Sequence, residues 1–235
     1  MSKSTGLVFH GIGHKTGLNA GAPGLDIVDS SVSKIILAET DISKEQLVSG
    51  RWVNSYNGTT SYHETNQIGF LQSCVQGTIL IWVKAEWSSM TYTDIRIVSS
   101  AHTAGANSEF RTYNNEDVEF IMGYGADKER VRAFPDGDAS DFDNQWVFIH
   151  YKWYESGGSY YLQGGHNGVW LHTSFAVPNA FVMPDTSFDI GKWGANYMAG
   201  YIDPEIKIYS HALNAGQIAS EYNNKCRDFG LEPIS

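Results

Sequence analysis

The chain has 235 residues, of which 42% are apolar, 18% charged and 13% aromatic, with a formal net charge of −10. That composition supplies a packed core and excludes a disordered polymer. The acidity repels phosphate backbones and anionic lipid heads, which excludes nucleic acid as an expected partner. No run approaches the ~20 apolar residues of a membrane-spanning helix, so no membrane insertion is expected.

The opening MSKSTGLVFHGIGHKTG lacks the continuous apolar run of a secretory leader. A chain without a signal peptide is expected to be made in the cytosol, and release by lysis, as for proteins of a phage particle, would still let it act outside the cell. His10 and His14 have ligand spacing only on a helix, which Gly11 and Gly13 disfavour, so they read as loop histidines. Cys74 and Cys226 are the only cysteines and read as free thiols, since two distant residues make neither a disulfide framework nor a zinc motif.

Strand character recurs at 6–10, 77–84, 94–98, 118–124, 146–154, 159–163, 170–175, 187–191 and 205–209. Over 146–154 the alternation puts Val147, Ile149, Tyr151 and Trp153 on one face, which is predicted to be core. TILIWVK at 78–84 is apolar on both faces and predicts a central strand of a layered sandwich. ESGGSY at 155–160 predicts a hairpin through Gly157 and Gly158. Helical character is confined to SKEQ at 43–46, with Ser43 and Gln46 at capping-box spacing, and to NAGQIASEY at 214–222, where Asn214 caps and Ile218 and Tyr222 share a face. Many strands with one or two short helices predict a single all-β sandwich spanning 1–235, its core at about 6–222 and a C-terminal tail at 223–235.

Four loops or strands carry candidate chemistry. NNEDVEF at 114–120 aligns Asn115, Asp117 and Glu119 at strand spacing, and SEFRTY at 108–113 aligns Glu109, Arg111 and Tyr113. The acids read as solvated groups on an edge strand. FPDGDASDFDNQW at 134–146 gathers Asp136, Asp138, Asp141 and Asp143 within one loop; it reads first as a solvated turn before the Trp146 strand and second as a calcium site of oxygen ligands, since Asp141 replaces the glycine of an EF-hand loop and no Glu closes it. Sugar binding calls for an exposed ring beside amide, hydroxyl or acid groups. KWGANYMAG at 192–200 offers Trp193, Asn196 and Tyr197, and GGHNGVWLH at 164–172 offers His166, Asn167, Trp170 and His172; the competing fate of both tryptophans is the core.

GYIDPEIKIYSHALNAGQIASEY at 200–222 resembles the closing signature of laminin-G-like jelly rolls in the concanavalin A-like lectin and glucanase superfamily. Ile206, Ile208, Tyr209, Ala212, Leu213, Gln217 and Ile218 fall at its spacing. YNGTTSY at 56–62, GTILIWVKA at 77–85, QWVFIHYKWYESGGSYYL at 145–162 and SFDIGKWG at 187–194 agree in order. The resemblance implies a concanavalin A-like jelly-roll β-sandwich, and it implies a structural calcium near Asp203 and the Asn57-Gly58 turn. Pro204 departs from the pattern, as does Gln163-Gly164-Gly165 where an Asp-Gly is usual.

The superfamily holds both binding modules and enzymes, so the site has to decide. Glucanases of this fold need two Glu and an Asp alternating on one strand, and 114–120 lacks the first carboxylate. Lyase relatives use an Arg-rich strand, for which 108–113 has no partner Gln-x-His block. The expectation is therefore a non-catalytic, lectin-like module that recognises glycan or protein partners, oligomeric or assembly-bound, as on the surface of a phage virion. The alternative is a polysaccharide-active enzyme using Glu109, Arg111, Tyr113, Asp117 and Glu119.

Overall fold

The computed structural model describes residues 7–13, 27–29, 35–72, 74–89, 97–101, 107–113, 117–124, 127–171, 175–177, 181, 187–193 and 196–235. In chain order, strands β1 (Leu7–Gly13), β2 (Ile27–Asp29), β3 (Ile36–Thr40), β4 (Ser43–Gln46), β5 (Trp52–Asn57) and β6 (Tyr62–Thr65) precede a one-turn helix α1 (Gly69–Gln72). There follow β7 (Gly77–Lys84), β8 (Val98–Ala101), β9 (Asn107–Tyr113), β10 (Asp117–Tyr124), β11 (Asp127–Arg132), β12 (Trp146–Ser156) and β13 (Ser159–His166). The remainder is β14 (Val169–Trp170), β15 (Phe175–Val177), β16 (Ser187–Ile190), β17 (Lys192–Trp193), β18 (Asn196–Tyr197), β19 (Ala199–Ile202), β20 (Lys207–Tyr209) and helix α2 (Ala215–Asn223).

These strands make an all-β sandwich of antiparallel sheets. The first centres on β12, paired along one side with β7 and along the other with β13. The far side of β7 takes β19 and β20, which lead to β5 and β1, while β13 takes β14 and β15. The second sheet runs β3–β6–β16–β8–β9–β10–β11. At one end β2 pairs with both β1 and β3 and so joins the two.

Alternation decides what is buried. Val147, Ile149, Tyr151 and Trp153 of β12 share one core with Ile79, Ile81 and Val83 of β7 and with Phe120, Met122, Phe188 and Ile190 of the second sheet. The polar tips of the large rings are satisfied inside it: Tyr151 Oη donates to the Val118 carbonyl at 2.7 Å, and Trp153 Nε1 to that of Cys74 at 2.9 Å. The 156–159 hairpin forms as its sequence predicts, with φ of 62° at Gly157 and 79° at Gly158.

The opposite face of the first sheet carries a second core, where Leu80, Trp82 and Phe148 pack with Leu213, Ile218, Tyr222, Cys226 and Phe229. The Trp82 ring stacks on Phe229 with centroids 4.3 Å apart. Residues 223–235, read from sequence as a tail, are thus a covering layer: Cys226 and Phe229 are buried, and Asn223 exchanges hydrogen bonds with the Ile234 backbone at 2.8 and 2.9 Å. A strand that is apolar on both faces requires such a cover. Cys74 and Cys226 are buried in different cores and are not bridged by a disulfide.

Helix α2 carries the expected capping box, with Gln217 N donating to Asn214 Oδ1 at 3.0 Å and Asn214 N to Gln217 Oε1 at 2.9 Å. The other predicted helix, 43–46, is strand β4 instead. Its four residues pair with β5 from Ser43↔Ser55 to Gln46↔Trp52, so ladder pairing outweighs a weak local helix signal. Among the described residues no helix is long and apolar enough to cross a membrane.

Candidate functional site

The predicted ring-bearing loop at 192–200 begins at the end of β16 and forms a hairpin. Strand β16 pairs with β6 in the register Phe188↔Thr65, Asp189↔Glu64, Ile190↔His63. Phe188 and Ile190 are buried with His63 and Thr65, so alternation turns Asp189 and Glu64 to the outer face. The chain then turns at Gly191, with φ 79°, where an added Cβ would lie 2.6 Å from the Tyr56 ring. Strands β17 and β18 follow as a hairpin, Lys192↔Tyr197 and Trp193↔Asn196, anchored by the hydrogen bonds Met198 N to Gly191 O (2.8 Å) and Gly58 N to Met198 O (2.9 Å).

This geometry brings four strands' side chains together. The Lys192 ammonium lies 3.7 Å from the Tyr62 ring centroid and 3.4 Å from Glu64 Oε2, and the Tyr197 and Tyr62 centroids are 6.0 Å apart. Beside them Asp189 Oδ2 accepts from Ser187 Oγ at 3.1 Å, while Oδ1 is buried without a hydrogen-bond partner among the described residues. Burial pushes the Asp189 carboxyl up to about 6, with Glu64 adding to the rise and Ser187 and Lys192 opposing it. Two ring faces, an ammonium and two carboxylates are the groups that stack on and hydrogen-bond a sugar. Tyr62, Glu64, Lys192 and Asp189 were not selected from sequence; only the β16–β6 register reveals them. Trp193 and Asn196 are placed by backbone alone.

Asn57 has a different part from the calcium ligation that the resemblance implies. Its Oδ1 accepts the backbone N–H of Thr59 and Thr60, both at 2.9 Å, and of Ser61 at 3.1 Å, so it orders the turn that delivers Tyr62. Asp203 is four ladder positions away, about 13 Å at ~3.3 Å per residue. Both its oxygens are taken by Arg51 Nη2, at 2.9 and 2.7 Å. The two residues therefore form no common cation site. Asp136 and Asp138 lie in the 3-10 segment Pro135–Phe142, described there by backbone. In that loop Asp143 is committed to Ser88, accepting from its backbone N–H at 2.8 Å and from its hydroxyl.

The 164–172 segment separates into structural and surface parts. His166 Nδ1 bonds the Ala133 carbonyl at 2.8 Å, and Asn167 Oδ1 accepts from Phe148 N at 3.0 Å, so both hold the fold. Trp170 is half-buried, its ring edge-on to His150 at 4.6 Å. His172 and His14 lie outside the described residues. The enzyme candidates are brought together, since Asp117↔Tyr113, Glu119↔Arg111 and Ile121↔Glu109 place all five on one face of β9 and β10. Yet β10 is an interior strand, not an edge, and Glu119 is fully buried, its carboxylate 3.6 Å from both Arg130 and Arg132. The solvated-edge reading of Glu119 is corrected: two flanking guanidinium groups make its burial tolerable.

No family model and no curated protein matches the chain. Solved structures do. The receptor-binding domain of botulinum neurotoxin C/D mosaic serotype aligns with a TM-score of 0.68 at 14% identity, over 94% of this chain and 51% of that one. The binding domain of Paraclostridial Mosquitocidal Protein 1 gives 0.70 at 14%, over 96% and 55%. The binding domain of botulinum neurotoxin DC in complex with SialylT gives 0.67 at 11%, over 94% and 52%. The chain spans about half the length of these structures, and at such identities the likeness is one of fold.

Proposed function

We propose that the protein is a non-catalytic glycan-binding module whose site is built from Tyr62, Tyr197, Glu64, Asp189 and Lys192, with Trp193 and Asn196 contributed by the same hairpin. The observation that carries this reading is the meeting of the Tyr62 and Tyr197 rings with the Lys192 ammonium and the Glu64 and Asp189 carboxylates on one outer face. Carboxylates in such a cluster are acceptors for sugar hydroxyls. The neighbours support a recognition role, because one is a receptor-binding domain and another the binding domain of a mosquitocidal protein. The finer family placement, in the laminin-G-like branch, rests on the blocks at 56–62, 77–85, 145–162, 187–194 and 200–222. Display on a larger assembly such as a phage particle is the setting that we attach to this reading. A structural calcium would belong to the Asp136 and Asp138 loop, since Arg51 occupies Asp203.

The test is an array of bacterial and algal glycans probed with the purified protein, in calcium and in chelator. Saturable binding that Tyr197→Ala abolishes is the expected result. Silence across the array would overturn the reading in favour of an architectural protein, and release of reducing ends or unsaturated uronates would overturn it in favour of an enzyme.

A further inference from the structure

A second group of rings lies on the other sheet, on its outer face beside the N-terminus of α2. Alternation along β12 places Lys152 and Tyr154 on that face, and the register Lys152↔Gln163 and Tyr154↔Tyr161 adds the facing residues of β13. The Tyr154 and Tyr161 rings stack with centroids 5.3 Å apart and planes at 23°. The Lys152 ammonium lies 4.3 Å from the Trp170 ring centroid and 5.4 Å from that of Tyr154. Val169 and Leu171, on either side of Trp170, are exposed.

Lys152, like Lys84 over the Tyr201 ring, differs from four other half-buried cations among the described residues. Arg51, Lys192, Lys207 and Lys225 each reach a carboxylate. Lys152 forms no ion pair among the described residues, and its one oxygen neighbour there is the Leu213 carbonyl at a long 3.5 Å. Burial lowers its pKa, so the ammonium is partly desolvated without a counter-charge. Two ring faces compensate such a charge incompletely, and an anion completes it. The ring surface beside it is flat and half-exposed, suited to the C–H face of a sugar.

We propose that Lys152, Tyr154, Tyr161 and Trp170 form a second glycan site, selective for sugars that carry a carboxylate or a sulfate. Lys152 anchors the anionic group, and the stacked tyrosines and Trp170 hold the pyranose ring, with the Gln163 strand position alongside. The site is on the opposite sheet from Tyr62 and shares no residue with the Tyr62–Tyr197 site.

The experiment is calorimetric titration of the intact protein with an oligogalacturonate, with a heparin-derived oligosaccharide and with a neutral maltooligosaccharide. Binding of at least one anionic probe, weakened roughly tenfold or more by Lys152→Gln and retained by Lys152→Arg, is expected, and it should fall as salt rises. The carboxylate and sulfate arms show which anion is preferred. Tyr161→Ala gives a second variant that keeps the lysine, and an upward move of the Lys152 amine titration on binding, read by NMR, reports direct contact. The proposal fails if neither anionic probe binds, if the neutral probe binds equally well, or if Lys152→Gln changes nothing. Anionic binding abolished by Tyr197→Ala but untouched by Lys152→Gln would sink this site and leave the Tyr197 site standing.

Discussion

Arg51 Nη2 lies 2.7 Å from Oδ2 of Asp203, a carboxylate with no exposed surface, and binds its second oxygen at 2.9 Å. The same guanidinium reaches Glu205 at 3.0 Å and Asp228 at 3.4 Å, so one residue just before β5 ties the β19–β20 turn to the C-terminal cover. Burial pushes the Asp203 carboxyl above its usual range, although Lys225 and Arg51 both pull it down. Arg51→Met should therefore cost about 3 kcal/mol, because a buried carboxylate loses its closest, hydrogen-bonded counter-charge and keeps only Lys225 at 3.7 Å. Combining Arg51→Met with Asp203→Leu should cost much less than the sum of the two single substitutions. Urea denaturation of the three variants measures both; additive costs would show that the pair is not coupled.

His150 sits on the outer face of the first sheet, buried, with its ring near Phe148 and Trp170. Burial lowers its pKa from 6.5 to about 3, helped by His166 and Lys152. A lowered pKa means that the neutral form stabilises the fold above pH ~6.5 and that this contribution is lost as pH falls toward 3. His150→Phe should flatten the fall in stability between pH 6.5 and 4 by about one proton's worth of slope. Melting curves of both proteins across that range check it, and parallel curves would refute it.

Much of this fold is legible in the sequence where alternation and side-chain size agree. Residues 146–154 and 77–84 state which faces are buried, and Asn214 with Gln217 states where α2 begins. What is not legible depends on partners distant in sequence. DKERVR at 127–132 is not among the strand runs read from the sequence, yet it is strand β11, and it turns the neighbouring β10 from an edge into an interior strand. Arg130 and Arg132 of β11 then flank the buried Glu119 carboxylate. Likewise 223–235 shows no periodicity of its own, and its burial follows from the outward face of Trp82, which needs a cover. Of the candidate site, only the 192–197 hairpin was legible, because Tyr62, Glu64 and Asp189 meet it through strand register.

The glycine pair Gly164-Gly165 has a steric cause. A Cβ at Gly164 would lie 2.4 Å from the Arg132 carbonyl, and one at Gly165 would lie 2.1 Å from that of Val169. Both obstacles are backbone, which cannot rotate away. Gly165→Ala should destabilise the fold by about 2 kcal/mol or more, whereas Gly216→Ala, 3.5 Å from its nearest neighbour and inside α2, should be neutral or stabilising. Thermal melts of the two variants make the comparison, and an unperturbed Gly165→Ala protein would show that the β13–β14 approach can relax.

Asp189 links stability to binding with a sign opposite to that of His150. Its carboxyl is raised from 3.8 to about 6, so the protonated form favours the fold below pH ~3.8 and that stability is lost as pH rises through about 6. Asp189→Asn should leave stability unchanged at pH 4 and raise it at pH 7, because the amide needs no charge in a half-buried position. It should also remove the acceptor offered to a sugar hydroxyl. Glycan affinity of the unmutated protein should accordingly rise through pH 6, while the Asn variant, though more stable, binds weakly at every pH. A gain in stability with a loss of binding is what a strained functional residue produces. If the Asn variant is more stable at pH 7 and binds as well as the parent, Asp189 is a tolerated burial with no part in recognition, and the site must be sought elsewhere on the hairpin.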